Sequence, residues 1–230
     1  GTTWRHVLGG DGMDCAVDPT NANTSYASYQ YGNFRRSLNG GLSFTNITPS
    51  GQSGAWVTPI AIDPINTNTI YIGYASLYRS FDRGNTWSVL AANICGGDEI
   101  EYLKIAPSNN NIIYAGNTSG IYRSVDGGQT FTSITTGISG GAITDVAISS
   151  SNPDHIWVTL SGYTQGTRIF RSYNGGSNYI IVSGTLPDIP VNCAIYQPAS
   201  NDLVYIGTDF GVFYRDNAMP DWLPFNNNLP

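Results

Sequence analysis

The sequence predicts an all-β fold, a β-propeller of four-stranded antiparallel blades, and three observations predict it. One eight-residue stretch, Ser80-Phe81-Asp82-Arg83-Gly84-Asn85-Thr86-Trp87, returns as Ser124 to Phe131, Ser37 to Phe44 and Ser172 to Tyr179, with its serines at 37, 80, 124 and 172. Between copies run short apolar and aromatic segments bounded by Gly, Pro, Asn and Ser, the pattern of strands and turns. No stretch shows a helical period, and self-similarity near 44 residues is the length one propeller blade needs.

Each element follows from the residues of one repeat. Val57 to Ile62 reads as a first strand, Asp63-Pro64-Ile65-Asn66-Thr67-Asn68 as a turn, and Thr69 to Tyr74 as a second strand. Leu77 to Phe81 forms a third strand, the eight-residue box turns the chain, and Thr86 to Leu90 is the fourth. Second strands recur at Ile112 to Gly116, Ile156 to Leu160 and Val204 to Thr208. Blades are accordingly expected at 9–48, 54–90, 97–134, 140–182 and 187–230. Gly1 to Trp4 aligns with Gly84 to Trp87, so residues 1–8 read as the last strand of a preceding blade. The whole chain, 1–230, is then a segment of a six- to eight-bladed propeller. The alternative is a five-bladed ring closed by the N-terminal strand, although Asp221 to Phe225 already stands where the last blade's own fourth strand belongs.

Within the box every residue has a folding role. Gly41, Gly84, Gly128 and Gly176 supply positive φ, and Asn39, Asp82, Asp126 and Asn174 accept backbone N–H bonds. Ser37, Ser80, Ser124 and Ser172, with Thr86 and Thr130, satisfy further backbone groups, while Phe44, Trp87, Phe131 and Tyr179 pack the turn. An arginine precedes each serine (Arg36, Arg79, Arg123, Arg171), and Arg215 continues the series with its box degraded. Such a column is read as structural, stacking on aromatics or bonding carbonyls between blades.

These four boxes resemble the Asp-box, or BNR repeat, in its Ser-x-Asp-x-Gly-x-Thr-Trp form. Sialidases, sortilin-type receptors and xyloglucan-cleaving two-propeller glycoside hydrolases share that repeat. Gly9-Gly10-Asp11-Gly12-Met13-Asp14-Cys15 and Gly207 to Asn217 look most like large secreted surface proteins of Bacteroidetes, similar to sortilin-type and xyloglucanase-type propellers. In those families the box lies at the blade periphery, which places function on the opposite rim.

Composition narrows the function. Charged residues make up 11% and the net charge is −6, with Lys104 the sole lysine, so no basic patch exists for nucleic acid or an anionic membrane. No apolar run is long enough to span a bilayer. Together with the neutral polar composition this suits a secreted or cell-surface protein. Cys15, Cys95 and Cys193 are an odd set without metal-ligand spacing, so neither a metal nor another cofactor is indicated. Cys15 and Cys193 read as small buried hydrophobes in equivalent positions.

The rim of second-to-third-strand loops and blade connections offers Tyr29, Tyr31, Trp56, Asp98, Glu99, Tyr102, Tyr163 and Asp209 as binding candidates. The expected function is a non-catalytic binding or scaffold module for a polysaccharide or a surface protein, with further blades of the same parent protein as neighbours. The alternative is a glycoside hydrolase of the xyloglucanase type, with acids drawn from Asp98, Glu101 and Asp145. That chemistry needs two carboxylates roughly 5 to 10 Å apart across the scissile bond. The bland reading gives Asp14, Asp145 and Asn192 one shared column and a bond each to a neighbouring first strand. His6 and His155 are isolated, and no nucleophile motif accompanies them.

Overall fold

A computed structural model describes residues 6–225. The chain is all-β, with five four-stranded antiparallel sheets that form the blades of a β-propeller and one single-turn 3-10 helix at Gln30–Gly32. It divides into two compact units that meet in sequence at Ile105 and Ala106.

The first unit holds two complete sheets and the strand that follows them. β1 (Cys15–Val17), β2 (Ser25–Tyr29), β3 (Asn33–Ser37) and β4 (Thr45–Asn46) pair in that order. β5 (Ile60–Ile62), β6 (Ile70–Gly73), β7 (Ser76–Ser80) and β8 (Ser88–Ala92) repeat the arrangement, and β9 (Tyr102–Ile105) follows. The second unit contains β10 (Ile113–Asn117), β11 (Gly120–Ser124) and β12 (Thr132–Ser133). Next come β13 (Ile143–Ile148), β14 (Ile156–Leu160), β15 (Ile169–Ser172) and β16 (Ile180–Ile181). The last sheet comprises β17 (Val191–Tyr196), β18 (Val204–Thr208), β19 (Gly211–Arg215) and β20 (Leu223–Pro224). The Gly1 to Trp4 alignment lies outside the described residues.

Burial explains which strands are apolar on both faces. β6, β10 and β14 are buried along their whole length, and they read as unbroken rather than alternating apolar runs. Fourth strands of two residues, such as β4, β12 and β16, are exposed and short, which limits the open hydrogen-bonding edge. Cores form between successive blades. Tyr26, Phe34 and Ile47 of the first blade pack with Ile60, Ile70, Ile72 and Tyr74 of the second. In the second unit, Ala147, Trp157 and Ile169 pack with Val191, Ala194, Val204, Ile206 and Trp222. Each fully buried side chain of this size stabilises the fold by about 1.5–3 kcal/mol.

The repeated turn is closed by its own side chains. Ser80 Oγ donates to Asp82 Oδ1 (2.7 Å) and accepts from the Gly84 N–H (2.7 Å). Asp82 Oδ1 also accepts from Thr86 N–H (2.8 Å), and Oδ2 accepts from Thr86 Oγ1 (2.7 Å). These bonds favour the ionised carboxyl and hold it down to about 2. The Ser124–Asp126–Thr130 turn repeats the set, whereas Asn39 and Asn174 keep the Oδ1 acceptor and lose the second carboxylate oxygen, Asn39 donating from Nδ2 to Ser43 Oγ (2.9 Å) in its place. Gly84 takes φ +89° against Ile47, a left-handed position that favours glycine.

The box aromatic also reaches backwards to the preceding blade. Trp87 Nε1 donates to Ile47 O (2.7 Å), Tyr179 Oη to Ile134 O (3.0 Å) and Trp222 Nε1 to Val182 O (2.8 Å). Trp222 therefore occupies the box-aromatic position of the fifth blade, followed by that blade's own fourth strand, β20.

Strand register corrects three sequence alignments. Arg36, Arg79, Arg123 and Arg171 pair with Tyr26, Tyr71, Tyr114 and Trp157, but the residue opposite Tyr205 is Tyr214. Arg215 stands one place further on, opposite Val204 as Ser80 stands opposite Ile70. One residue of offset turns a side chain to the other face of a strand. Accordingly Arg36 reaches forward to Arg83 O (2.7 Å) and Asn85 Oδ1 (2.9 Å), and Arg171 forward to Asp202 Oδ2 (2.9 Å). Arg215 reaches back to Val182 O (3.3 Å), and Tyr214 stacks on Tyr205 instead.

The second correction concerns Asn192. Both first strands shift by one place in the same way, after Ile143 and after Val191, and this puts Cys193, opposite Gly207, rather than Asn192 in the column of Asp145, opposite Thr159. For the same reason Cys15 and Cys193 are not equivalent, and both are exposed, whereas Cys95 is buried.

Candidate functional site

The loops at the second-to-third-strand end of the first unit form the best-organised rim. After β2 the chain enters the turn Gln30–Gly32 with Tyr31 at φ +62° and Gly32 at φ +74°. A non-glycine residue in the left-handed region costs on the order of 1–3 kcal/mol and persists where its surroundings hold it. Here the Tyr31 N–H donates to Trp56 O (3.4 Å), and the Gly54 N–H donates to Tyr31 O (3.1 Å). Gly32 is required by close approach, because a Cβ there would lie 2.6 Å from the Tyr74 ring.

This strained turn presents Tyr31 against Trp56 of the loop before β5. Tyr31 and Trp56 meet edge to face with centroids 5.3 Å apart and planes at 89°, and they stay 49% and 52% exposed. Tyr29 lies just before the turn, its ring under Arg35 at 5.5 Å and its hydroxyl accepting from Arg35 Nη2 (3.0 Å). Gln30 Nε2 donates to Asp11 Oδ2 (2.6 Å), tying the turn to the segment before β1.

Tyr74 connects this turn to the acidic loop. Its hydroxyl donates to Gly32 O (2.6 Å), its carbonyl accepts from Ile100 N–H (3.0 Å), and its burial pushes the phenol well above the usual tyrosine range. Ile100 is fully buried, which leaves Asp98, Glu99 and Glu101 exposed on either side of it. Gly96 and Gly97, at φ +73° and +104°, turn the chain between Cys95 and Asp98. Burial pushes the Cys95 thiol up to about 11, aided by the charges of Asp98 and Glu101, which disfavours the thiolate. Tyr102 is buried in β9, where its ring is unavailable to a ligand.

Asp145 belongs to the second unit and faces backbone. Its Oδ1 accepts from Val146 N–H (2.9 Å) and its Oδ2 from Ala194 N–H (3.2 Å) on the next blade's first strand. Asp14 makes the same pair of bonds, to Cys15 N–H (2.8 Å) and Ile60 N–H (3.1 Å). A carboxylate with both oxygens bound to the main chain joins blades and is poorly placed to carry a proton to substrate. In the second unit's loops Tyr163 is 72% exposed, and Asp209 accepts from Asn192 Nδ2 (2.9 Å).

One buried arginine was not singled out in the sequence, and His155, read there as isolated, is not isolated in the fold. Arg168, in the loop before β15, is fully buried and faces Asp188 at 3.4 Å. The signal available was only that it is an arginine outside the repeat column. His155 and Arg171 form the other cluster: Arg171 Nε donates to His155 Nε2 (2.7 Å), and the imidazole lies between Trp157 (4.1 Å) and Tyr173 (4.4 Å). This cluster joins the last two blades and lies at the box end, away from the rim loops.

Among the described residues, no group of three His, Cys, Asp or Glu side chains is placed to hold a metal ion. The box aspartates illustrate why, since Asp126 spends Oδ1 on Ser124, Gln129 and Thr130 and Oδ2 on Thr130. No helix among the described residues is long and apolar enough to cross a membrane.

No protein-family model matches the chain. Among curated proteins it is similar to a xyloglucanase of Hypocrea jecorina (strain QM6a), 28% identical over 242 residues, covering 91% of this chain and 27% of that protein. A xyloglucanase of a Paenibacillus species is 26% identical over 212 residues, covering 72% of this chain and 21% of the relative. The chain thus spans about a quarter of the length of the curated relatives it matches. Among solved structures, the GH74 xyloglucanase from Xanthomonas campestris superimposes with a TM-score of 0.70 at 18% identity, covering 91% of this chain and 37% of that one. These likenesses correct one expectation. A non-catalytic binding or scaffold module is the weaker reading, because the relatives matched in sequence are named as xyloglucanases, and a glycoside hydrolase-like propeller fits them better.

Proposed function

We propose that this chain is part of a secreted glycoside hydrolase acting on a β-glucan of the xyloglucan type. The observation that carries the reading is the exposed Tyr31–Trp56 pair, held rigid by backbone bonds on a strained turn. Pyranose rings present flat C–H faces that stack on aromatic rings, and two rings at right angles suit a chain that bends or branches between sugars. The sequence likeness to xyloglucanases over most of the chain supports the same substrate class.

Asp98, Glu99 and Glu101 supply carboxylates on the loop that Tyr74 fastens to the platform. In this reading Asp98 or Glu101 accepts sugar hydroxyls or exchanges a proton with the glycosidic oxygen or its attacking water. Asp145 is not used, since backbone holds both its oxygens. The repeated turns are read as Asp-boxes, a reading supported by the Ser–Asp–Thr hydrogen bonds within them, and they serve the fold rather than the chemistry.

Retardation in a native gel containing xyloglucan tests the reading, with reducing-end release as the second measurement. Wild type is expected to be retarded and Trp56→Ala to migrate as in a glucan-free gel. A wild-type chain that runs unretarded in xyloglucan and in mixed-linkage glucan would sink the proposal.

A further inference from the structure

A second feature of the rim loops, confined to the second unit, has no role in the fold that accounts for it. Arg168 is fully buried, yet its Nε and Nη2 find no hydrogen-bond partner among the described residues. Among the described residues its charge is matched by Asp188, whose oxygen lies 3.4 Å from Nη2 and whose side chain is 42% exposed. A buried guanidinium with unpaired donors is costly, and an apolar residue of similar volume would serve packing better. Asp188 is also held from a second side, because the Gly166 N–H donates to the same Oδ1 (3.1 Å). Oδ1 is thus fixed by protein, while the side chain as a whole stays 42% exposed. The loop that contributes Gly166 and Arg168 also displays Tyr163, 72% exposed.

We infer that Asp188 and Tyr163 form a second subsite for a neutral pyranose, with Tyr163 stacking on the sugar and Asp188 accepting its hydroxyl hydrogens, while buried Arg168 is the positioning residue that fixes Asp188. The ligand class follows from charge: the Arg168–Asp188 pair is net neutral, so neither an anion nor a cation gains from it. A carboxylate of fixed direction still binds adjacent hydroxyls well. This inference rests on the glucan-acting reading above and extends it to the second unit.

Calorimetric titration with a xyloglucan oligosaccharide of four backbone glucoses tests it. Tyr163→Ala and Asp188→Ala, both exposed positions, are expected to weaken binding about 10-fold each, equivalent to about 1.4 kcal/mol. Arg168→Lys should stay within about twofold of wild type, and Arg168→Met should lose as much as Asp188→Ala. The two exposed variants carry the test whether or not Arg168→Met folds. If Trp56→Ala abolishes binding while Tyr163→Ala and Asp188→Ala bind as wild type, the second subsite is overturned and the proposed function stands. If wild type binds neither this oligosaccharide nor cellotetraose, both fall.

Discussion

Acidification should loosen the joint between the last two blades through one imidazole. Arg171 Nε donates to His155 Nε2, so that nitrogen must be unprotonated and the ring's proton sits on Nδ1, facing Asp202 Oδ1 at 3.6 Å. The groups around the ring are Arg171, Asp202, Tyr173, Trp157 and Tyr196, of which Asp202 alone favours a second proton. Burial, followed by the Arg171 charge, pushes the imidazole from its ordinary 6.5 down to about 4. The folded state therefore binds fewer protons than the unfolded chain between pH 4 and 6.5. Stability from this group is complete above about 6.5 and is lost as the pH falls towards 4. At about 1.4 kcal/mol per pH unit, the loss is on the order of 2 to 3 kcal/mol. The assay is the urea midpoint at pH 4, 5, 6 and 7 for wild type and for His155→Gln, whose side-chain oxygen can still accept from Arg171 without titrating. Wild type should show the steeper fall between pH 6.5 and 4. Equal slopes in the two proteins would refute the assignment of this dependence to His155.

Other perturbations separate fold from site. Ser80→Ala leaves the Gly84 N–H without its acceptor and should cost about 1–3 kcal/mol in chemical denaturation, whereas Asp82→Asn keeps the Oδ1 acceptor and should cost less. Tyr31→Gly removes a left-handed side chain and should hold or raise thermal stability while abolishing retardation by xyloglucan; losing both together would contradict a strained functional turn. Asp145→Ala should lower stability by about 1–3 kcal/mol, because Val146 and Ala194 N–H groups lose their acceptor in a buried place. A destabilisation within measurement error would show that water replaces the carboxylate.

The blades and turns were legible because they are written several times, and repetition averages out local ambiguity. β14 and β18 fall where Ile156 to Leu160 and Val204 to Thr208 predicted them. What failed was anything that depends on a single residue of register. Arg215 looked like the fifth member of a column, and Asn192 like the third of another, because sequence spacing does not fix strand pairing to the single residue. Tyr102 was named as a rim ring, yet it opens β9, where it and Leu103 are both buried. Trp56 and Tyr31 were named separately, but their edge-to-face meeting depends on the left-handed turn at Tyr31, which favours glycine and which tyrosine does not announce. Arg168 carried no pattern at all, and its burial is a property of the fold alone.

The register of Arg215 has a consequence for the order in which the chain can complete itself during synthesis. Arg36 waits for the turn at Arg83 and Asn85, and Arg171 waits for Asp202, so each guanidinium emerges before the atoms that satisfy it exist. Arg215 has no such wait, because the carbonyl of Val182 and the seat for Trp222 are already in place when it appears. The fifth blade's cation thus meets residues already synthesised, while Tyr205 and Tyr214 stack on each other and Phe225 meets both edge to face.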